Sequence, residues 1–143
     1  MSGSRLIDVR APRFTAWVTA VVLASVLITG SWELALAQTV VFGIGAFAGL
    51  RYAPYGLVFR FLVRPFIKPP TDREDEAPPR FAQLVGFVFA AVATLGYAVG
   101  LEALGAVAAA LALAAALLNA AFGVCLGCLL YLRLRTVASG FGR

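Results

Sequence analysis

The chain has 143 residues, of which 62% are hydrophobic and 13% charged, with a formal net charge of +5 and no histidine. Soluble domains run about half apolar and about a quarter charged, so this composition assigns the protein to lipid. The missing imidazole excludes His-based general bases, catalytic triads and bis-histidine haem. Two cysteines and one methionine leave little room for a single-chain zinc or iron–sulfur site, which usually takes four ligands.

A membrane-crossing helix needs about 20 mostly apolar residues. Four stretches qualify: Phe14–Ser31, Leu34–Leu50, Phe81–Val99 and Leu104–Leu132. The first lacks a clear cleavage site and is followed at once by the second, unlike a signal peptide. The last is long enough to tilt or emerge from the bilayer. The expected fold is therefore an all-α bundle of four transmembrane helices forming one domain over residues 1–143.

Basic residues set the orientation. Arg5, Arg10 and Arg13 precede the first span, and Arg51, Arg60, Arg64, Lys68, Arg73 and Arg80 lie between the second and third. Arg133, Arg135 and Arg143 follow the fourth, which accounts for all 12 Lys and Arg. None falls in the short connections around Glu33 and Glu102. The positive-inside rule then puts both termini and the loop over 51–80 in the cytoplasm of a bacterial inner-membrane protein.

Within that loop, Arg60 and Arg64 stand i, i+4 among Phe59, Leu62, Val63 and Phe66. This spacing predicts an amphipathic helix over Tyr55–Ile67 in the cytoplasmic interface, ended by Pro65 or by Pro69-Pro70, or else a continuation of the second helix. Pro69–Pro79, with Asp72, Glu74, Asp75 and Glu76, has the composition of a solvated linker.

Two openings echo one another, Pro12-Arg13-Phe14 and Pro79-Arg80-Phe81. Each precedes an uncharged helix, a single outer glutamate and a returning helix with Phe42-Gly43 or Phe122-Gly123. The pattern suits a parallel repeat of two helical hairpins, and equally two hairpins that share interfacial anchors. Arg13 and Arg80 are expected to meet lipid phosphates. Gly45/Gly49, Gly86/Ala90 and Gly123/Gly127 are small-xxx-small faces for close helix packing, and Gln38 and Asn119 are candidates for bonds between helices, with Asn119 also a candidate cavity residue.

One constellation carries chemistry. Cys125 and Cys128, the only two thiols, share one turn of the fourth span around Gly127. On a continuous helix their Cβ atoms would stand about 5–6 Å apart, against about 3.8 Å in a disulfide, so closure requires local distortion. A structural disulfide is disfavoured on the cytoplasmic side. The pair is then either small apolar packing, a shared metal site between two chains, or a redox or persulfide-carrying pair. In the last case Cys128, nearer the headgroups, is the expected attacking thiol and Cys125 the resolving one. A thiolate there needs a basic partner, for which Arg133, Arg51, Arg60 and Arg64 are candidates, with Asn119 and Tyr131 as further neighbours.

The strings Ile7-Asp8-Val9-Arg10-Ala11-Pro12-Arg13-Phe14, Gly49-Leu50-Arg51-Tyr52-Ala53-Pro54, Pro78-Pro79-Arg80-Phe81-Ala82-Gln83 and Gly123–Tyr131 together resemble a small bacterial membrane family, domain of unknown function 4395. Its most specific piece is Gly-x-Cys-x-Gly-Cys-x-x-Tyr, here Gly123, Cys125, Gly127, Cys128 and Tyr131. The resemblance implies a four-helix integral membrane protein associated with thioredoxin-like or rhodanese-like proteins, and carries no established activity. Asp8-Val9-Arg10 departs slightly from an expected Asp-Pro-Arg. The architecture is also similar to membrane thiol oxidoreductases that pair Cys-x-x-Cys with a quinone, although their working pair faces outward and is joined by a second pair.

The leading expectation is a membrane thiol-redox or sulfur-relay protein served by a cytoplasmic thioredoxin-like or rhodanese-like partner. The alternatives are a non-catalytic membrane anchor or assembly subunit, and a homo-oligomeric transporter of a sulfur oxyanion. No cofactor motif is present, and basic residues confined to membrane interfaces and the linker give no sign of nucleic-acid binding.

Overall fold

The computed structural model describes residues 6–8, 10–67, 73–75, 77–123 and 125–141, with side chains for 10–67, 77–123 and 125–139. Helix α1 (Arg10–Thr29) leads to a turn at Gly30, whose φ of 63° is readily adopted only by glycine. Helix α2 (Trp32–Gly43) returns from it, with the Ser31 hydroxyl accepting from the Leu34 amide at 3.1 Å as N-cap. A π-helical turn over Ile44–Ala48 extends α2, and a 3₁₀ turn over Leu50–Tyr52 follows. Helix α3 (Pro54–Val58) begins with proline in its first turn and runs on as a π turn over Phe59–Val63 and a 3₁₀ turn over Arg64–Phe66.

A second pair of long helices follows. Helix α4 (Ala77–Ala98) leads to a turn at Gly100, φ 85°, and α5 (Glu102–Phe122) returns. After a break, α6 (Leu126–Phe141) leaves the bundle. Two short strands, β1 (Leu6–Asp8) and β2 (Arg73–Asp75), pair antiparallel with Leu6 opposite Asp75 and Asp8 opposite Arg73. The Gly30 and Gly100 turns form the crown of the bundle, and the segments after α2 and α5 form its base.

Helix α5 lies between α1 and α4, and α4 lies between α5 and α2. Alanines dominate what is buried, including Ala16, Ala20, Ala35, Ala93, Ala108, Ala109 and Ala120. Larger apolar side chains point outward, with Ile28 84% and Val21 65% exposed. Small residues inside and large ones outside is the packing of helices in lipid, where close backbone approach replaces a hydrophobic core. A Cβ at Gly96 would lie 2.6 Å from the Gly105 nitrogen, so α4 and α5 touch backbone to backbone near the crown. The hydroxyls of Thr39 on α2 and Thr94 on α4 meet at 3.1 Å in the buried interior.

Three helices, α1, α4 and α5, are long and apolar enough to cross a membrane; Trp32–Ala48 is apolar but shorter. This marks a membrane protein. Several sequence expectations need correction. The fourth span is not continuous over 104–132, because Gly123 turns left-handed after Phe122 and ends α5. Helix α4 begins at Ala77, with Pro78 and Pro79 in its first turn, where proline lacks only an unneeded donor. The stretch over Tyr55–Ile67 does not prolong α2, since Gly49 (φ 119°) interrupts the helix and α3 starts anew, and it changes from α to π to 3₁₀ turns instead of forming one regular helix. Part of the supposed linker, Arg73–Asp75, is paired as β2, while Pro69-Pro70, Asp72 and Glu76 lie outside the described residues.

Candidate functional site: a disulfide beside a basic-mouthed cavity

The break in the fourth helical stretch makes the site. Gly123, at φ 72°, donates its amide to the Asn119 carbonyl at 2.9 Å and closes α5. Cys125 then stands just outside α6, and its Sγ accepts the Cys128 amide at 3.1 Å as a side-chain N-cap does. Its own carbonyl accepts the Leu129 amide at 3.0 Å, the first bond of the new helix. The two cysteines are joined as a disulfide with Cα atoms 5.1 Å apart. The distortion that closure needs is thus a helix terminus, not a bend within a helix. Gly127 lets this first turn dock, since a Cβ there would meet the Ala82 Cα of α4 at 2.5 Å.

Beside the disulfide opens a cavity of about 910 Å³, walled by the basal halves of α1, α4 and α5 and by the segment after α2. Its deepest α5 residue, Leu111, is eleven positions from Phe122, about 17 Å along the axis at 1.5 Å per residue. Arg51, Arg60 and Arg64 line it together with Asn119 and Cys125, and every charged residue in the described lining is an arginine. Sequence reasoning named those five. It did not single out Gln83, whose Oε1 is buried without a partner among the described residues, nor Thr15 and Thr19, all in the same wall. Nothing in the local sequence marks Gln83, because the space its side-chain amide occupies is left by Gly45 on a distant part of the chain.

Other candidates fall elsewhere. Tyr131 packs its ring on Phe81, centroids 5.7 Å apart, and Arg133 is exposed and does not line the cavity. Cys128 also lies outside the described lining, leaving Cys125 as the cysteine of the pair that lines it. Gln38, fully buried, accepts the Tyr55 hydroxyl at 2.6 Å, a bond from α3 into the bundle. Burial pushes the Tyr55 hydroxyl above its ordinary value, which keeps it a donor. Among the described residues no group of three or more His, Cys, Asp or Glu could hold a metal.

The paired arginines do more than anchor. Arg13, opening α1, donates from Nη2 to the Ala120 and Ala121 carbonyls at the end of α5, 3.1 and 3.4 Å. Arg80, opening α4, donates to the Ala46 carbonyl from Nη2 at 2.9 Å and from Nε at 3.3 Å, and to the Phe47 carbonyl at 3.4 Å. Each hairpin therefore caps the returning helix of the other, satisfying carbonyls that a helix end leaves open. The following aromatics seat the basal segments, Phe14 on Phe59 at 5.5 Å and Phe81 on Tyr131.

No curated protein and no solved structure matches the chain. A family model does match, over residues 7–136, which takes in both hairpins, the arginine openings and the cysteine pair. The chain belongs to the family described as Domain of unknown function (DUF4395).

Proposed function

We propose that this is a membrane thiol–disulfide protein that works through Cys125 and Cys128 and exchanges electrons, or sulfane sulfur, with a cytoplasmic thioredoxin-like or rhodanese-like partner. The single observation that carries the reading is the Cys125 sulfur, bonded to Cys128 and accepting an amide at the start of α6, in a residue that lines the cavity. A helix N-terminus and its free amides favour negative charge, and a thiolate is the form that attacks sulfur. Cys125 is thus the attacking thiol and Cys128 the resolving one, the reverse of the order drawn from depth alone. In exchange, a partner thiolate attacks Cys125 Sγ, the Cys125–Cys128 bond breaks and Cys128 leaves as a thiolate. The partner's second thiol then attacks its own sulfur in the mixed disulfide, and both cysteines emerge reduced while the partner is oxidised.

The same reading takes Trp32–Ala48 as a fourth, shorter span, about 25 Å long at 1.5 Å per residue. It puts the base and both termini on the cytoplasmic side, where all the basic residues gather. The glycine turns at 30 and 100, the glycine breaks at 49 and 123 and the reciprocal arginine caps support descent of the two hairpins from a duplicated unit.

Mass-tagging of thiols in native membranes after rapid acid quench tests the function. A pool of Cys125 and Cys128 blocked until reductant is added, and shifting with growth condition, is the expected result. The blocking mass separates a disulfide from a persulfide. Two thiols free under every condition, together with full complementation by Cys125→Ser and Cys128→Ser, would refute it.

A further inference from the structure

The cavity is graded from base to crown. Arg51, Arg60 and Arg64 stand at its mouth, and none of them meets a carboxylate among the described side chains, because Glu33 and Glu102 are both at the crown. Arg60 gives one donor to the Arg51 carbonyl at 3.1 Å, and Arg64 makes no hydrogen bond or ion pair among the described residues. Next come Thr15 and Asn119, half-buried in the wall and likewise without a side-chain partner among the described residues. The bond from Arg13 to the Ala120 carbonyl sets these two near one depth. The rest of the described lining is apolar apart from Thr19, Cys125 and Gln83, whose amide packs against Gly45. Along α4 the wall runs from Pro79 to Phe89, ten positions, or about 15 Å at 1.5 Å per residue. That is half of the about 30 Å hydrocarbon core, the depth of one leaflet. Around the mouth, Phe61, Leu62 and Phe66 are 67, 64 and 87% exposed beside Arg60 and Arg64, the mixture that suits the boundary of headgroups and acyl chains.

We infer that the cavity is a binding site for one anionic phospholipid of the leaflet at the base, with its phosphate on the three arginines and an acyl chain in the chamber. Guanidinium groups hold phosphate through charge-assisted, often bidentate bonds. Asn119 and the Thr15 hydroxyl can donate to the ester carbonyls that follow the phosphate, and the apolar depth beyond them takes the chain. An inorganic anion would use the mouth and leave the chamber unfilled, and a neutral lipid would leave the arginines without a counter-charge. Only an amphiphile with an anionic head uses both. The cavity volume of about 910 Å³ lies within the about 300–1,000 Å³ typical of small-molecule sites. The site stands whether or not the cysteines cycle, since neither the phosphate nor the chain requires a thiol. Cys125 lines the same cavity, so a seated chain shields that flank of the pair from water.

The full chain in phosphatidylcholine nanodiscs tests the site. A trace of phosphatidylglycerol or of phosphatidylcholine, each with a photoactivatable diazirine near the end of one acyl chain, is photolysed and the labelled peptides are mapped. Phosphatidylglycerol is expected to label the chamber side of α4 and α5, around Phe89, Leu111 and Ala112, at least tenfold more than phosphatidylcholine does. Arg64→Gln, which breaks no bond among the described residues, lowers that preference about tenfold, the loss of a charge-assisted bond to the phosphate. Ala116→Phe fills the chamber and removes the adduct, while Ala116→Ser keeps it. Should Ala116→Phe fail to fold, the wild-type map and the Arg64→Gln preference decide alone. Label confined to outward residues such as Val21 and Val88, or equal labelling of the chamber by the two lipids, would overturn the site. Displacement of the phosphatidylglycerol probe by inorganic phosphate, or by oleate more effectively than by unlabelled phosphatidylglycerol, would overturn a phospholipid as its occupant.

Discussion

Gly127→Ala isolates the docking of α6 from the chemistry of the cysteines it carries. An added Cβ would stand 2.5 Å from the Ala82 Cα and 2.6 Å from its Cβ, where ordinary contact begins near 3.4 Å, so the two helices must part by roughly 1 Å. Backbone and a Cβ cannot swing aside as a long side chain would. Overpacking of this kind costs about 1–3 kcal/mol, against which alanine gains about 1 kcal/mol of helix propensity over glycine. The net loss, about 0–2 kcal/mol, falls on the contact between α6 and α4, because the α5–α6 contact is slight. At about 1.4 kcal/mol per factor of ten, the undocked population of α6 rises up to about thirtyfold. Alkylation of the reduced cysteines by a bulky maleimide in nanodiscs reads that population directly, with total helicity near wild type by circular dichroism. Gly127→Val adds bulk with less propensity gain than alanine, and an alkylation rate equal to wild type in both variants would refute the claim that Gly127 is kept small by Ala82.

Further outcomes follow from the same geometry. Gly123→Ala meets no atom within 4 Å, so its cost is conformational, about 1–2 kcal/mol for a left-handed position, visible in detergent unfolding and smaller for Gly123→Asn. Arg80→Ala strips three bonds from the end of the π turn and is expected to destabilise by about 1.5–3 kcal/mol, more than Arg13→Ala, whose side chain is exposed and has the fewer carbonyl bonds. Tyr55→Phe leaves Gln38, 0% exposed, without its donor and costs about 1–3 kcal/mol. Most of that loss returns in the double variant with Gln38→Leu, as a double-mutant unfolding cycle will show.

The helical class, the apolar helices and the single domain-length resemblance were legible because hydropathy over twenty residues is a local property. The cysteine pair stood out for the same reason, as both thiols fall within one turn. The break at Gly123 was hidden by the surrounding alanines and leucines, which continue a helical pattern that one positive φ interrupts. That single residue ends α5 and leaves Cys125 outside the start of α6. Arg13 and Arg80 were visible as a repeat, but their partners lie 107 and 34 positions away along the chain, and no periodicity encodes such a distance. The chamber itself is walled by residues from both hairpins and from the segments after α2 and α5, a property of those elements together and of none alone.

The crossed arginine caps bear on biogenesis. When the first hairpin enters the bilayer, the carbonyls of Ala46 and Phe47 have no donor until Arg80 emerges from the ribosome, and Arg13 has no acceptor until α5 is in place. Neither half supplies its own arginine cap, so the two helical pairs are expected to fold as one unit. A chain stalled midway lacks the Arg80 donor for these carbonyls. Two separately expressed halves, each lacking what the other holds, have a built-in reason to find one another.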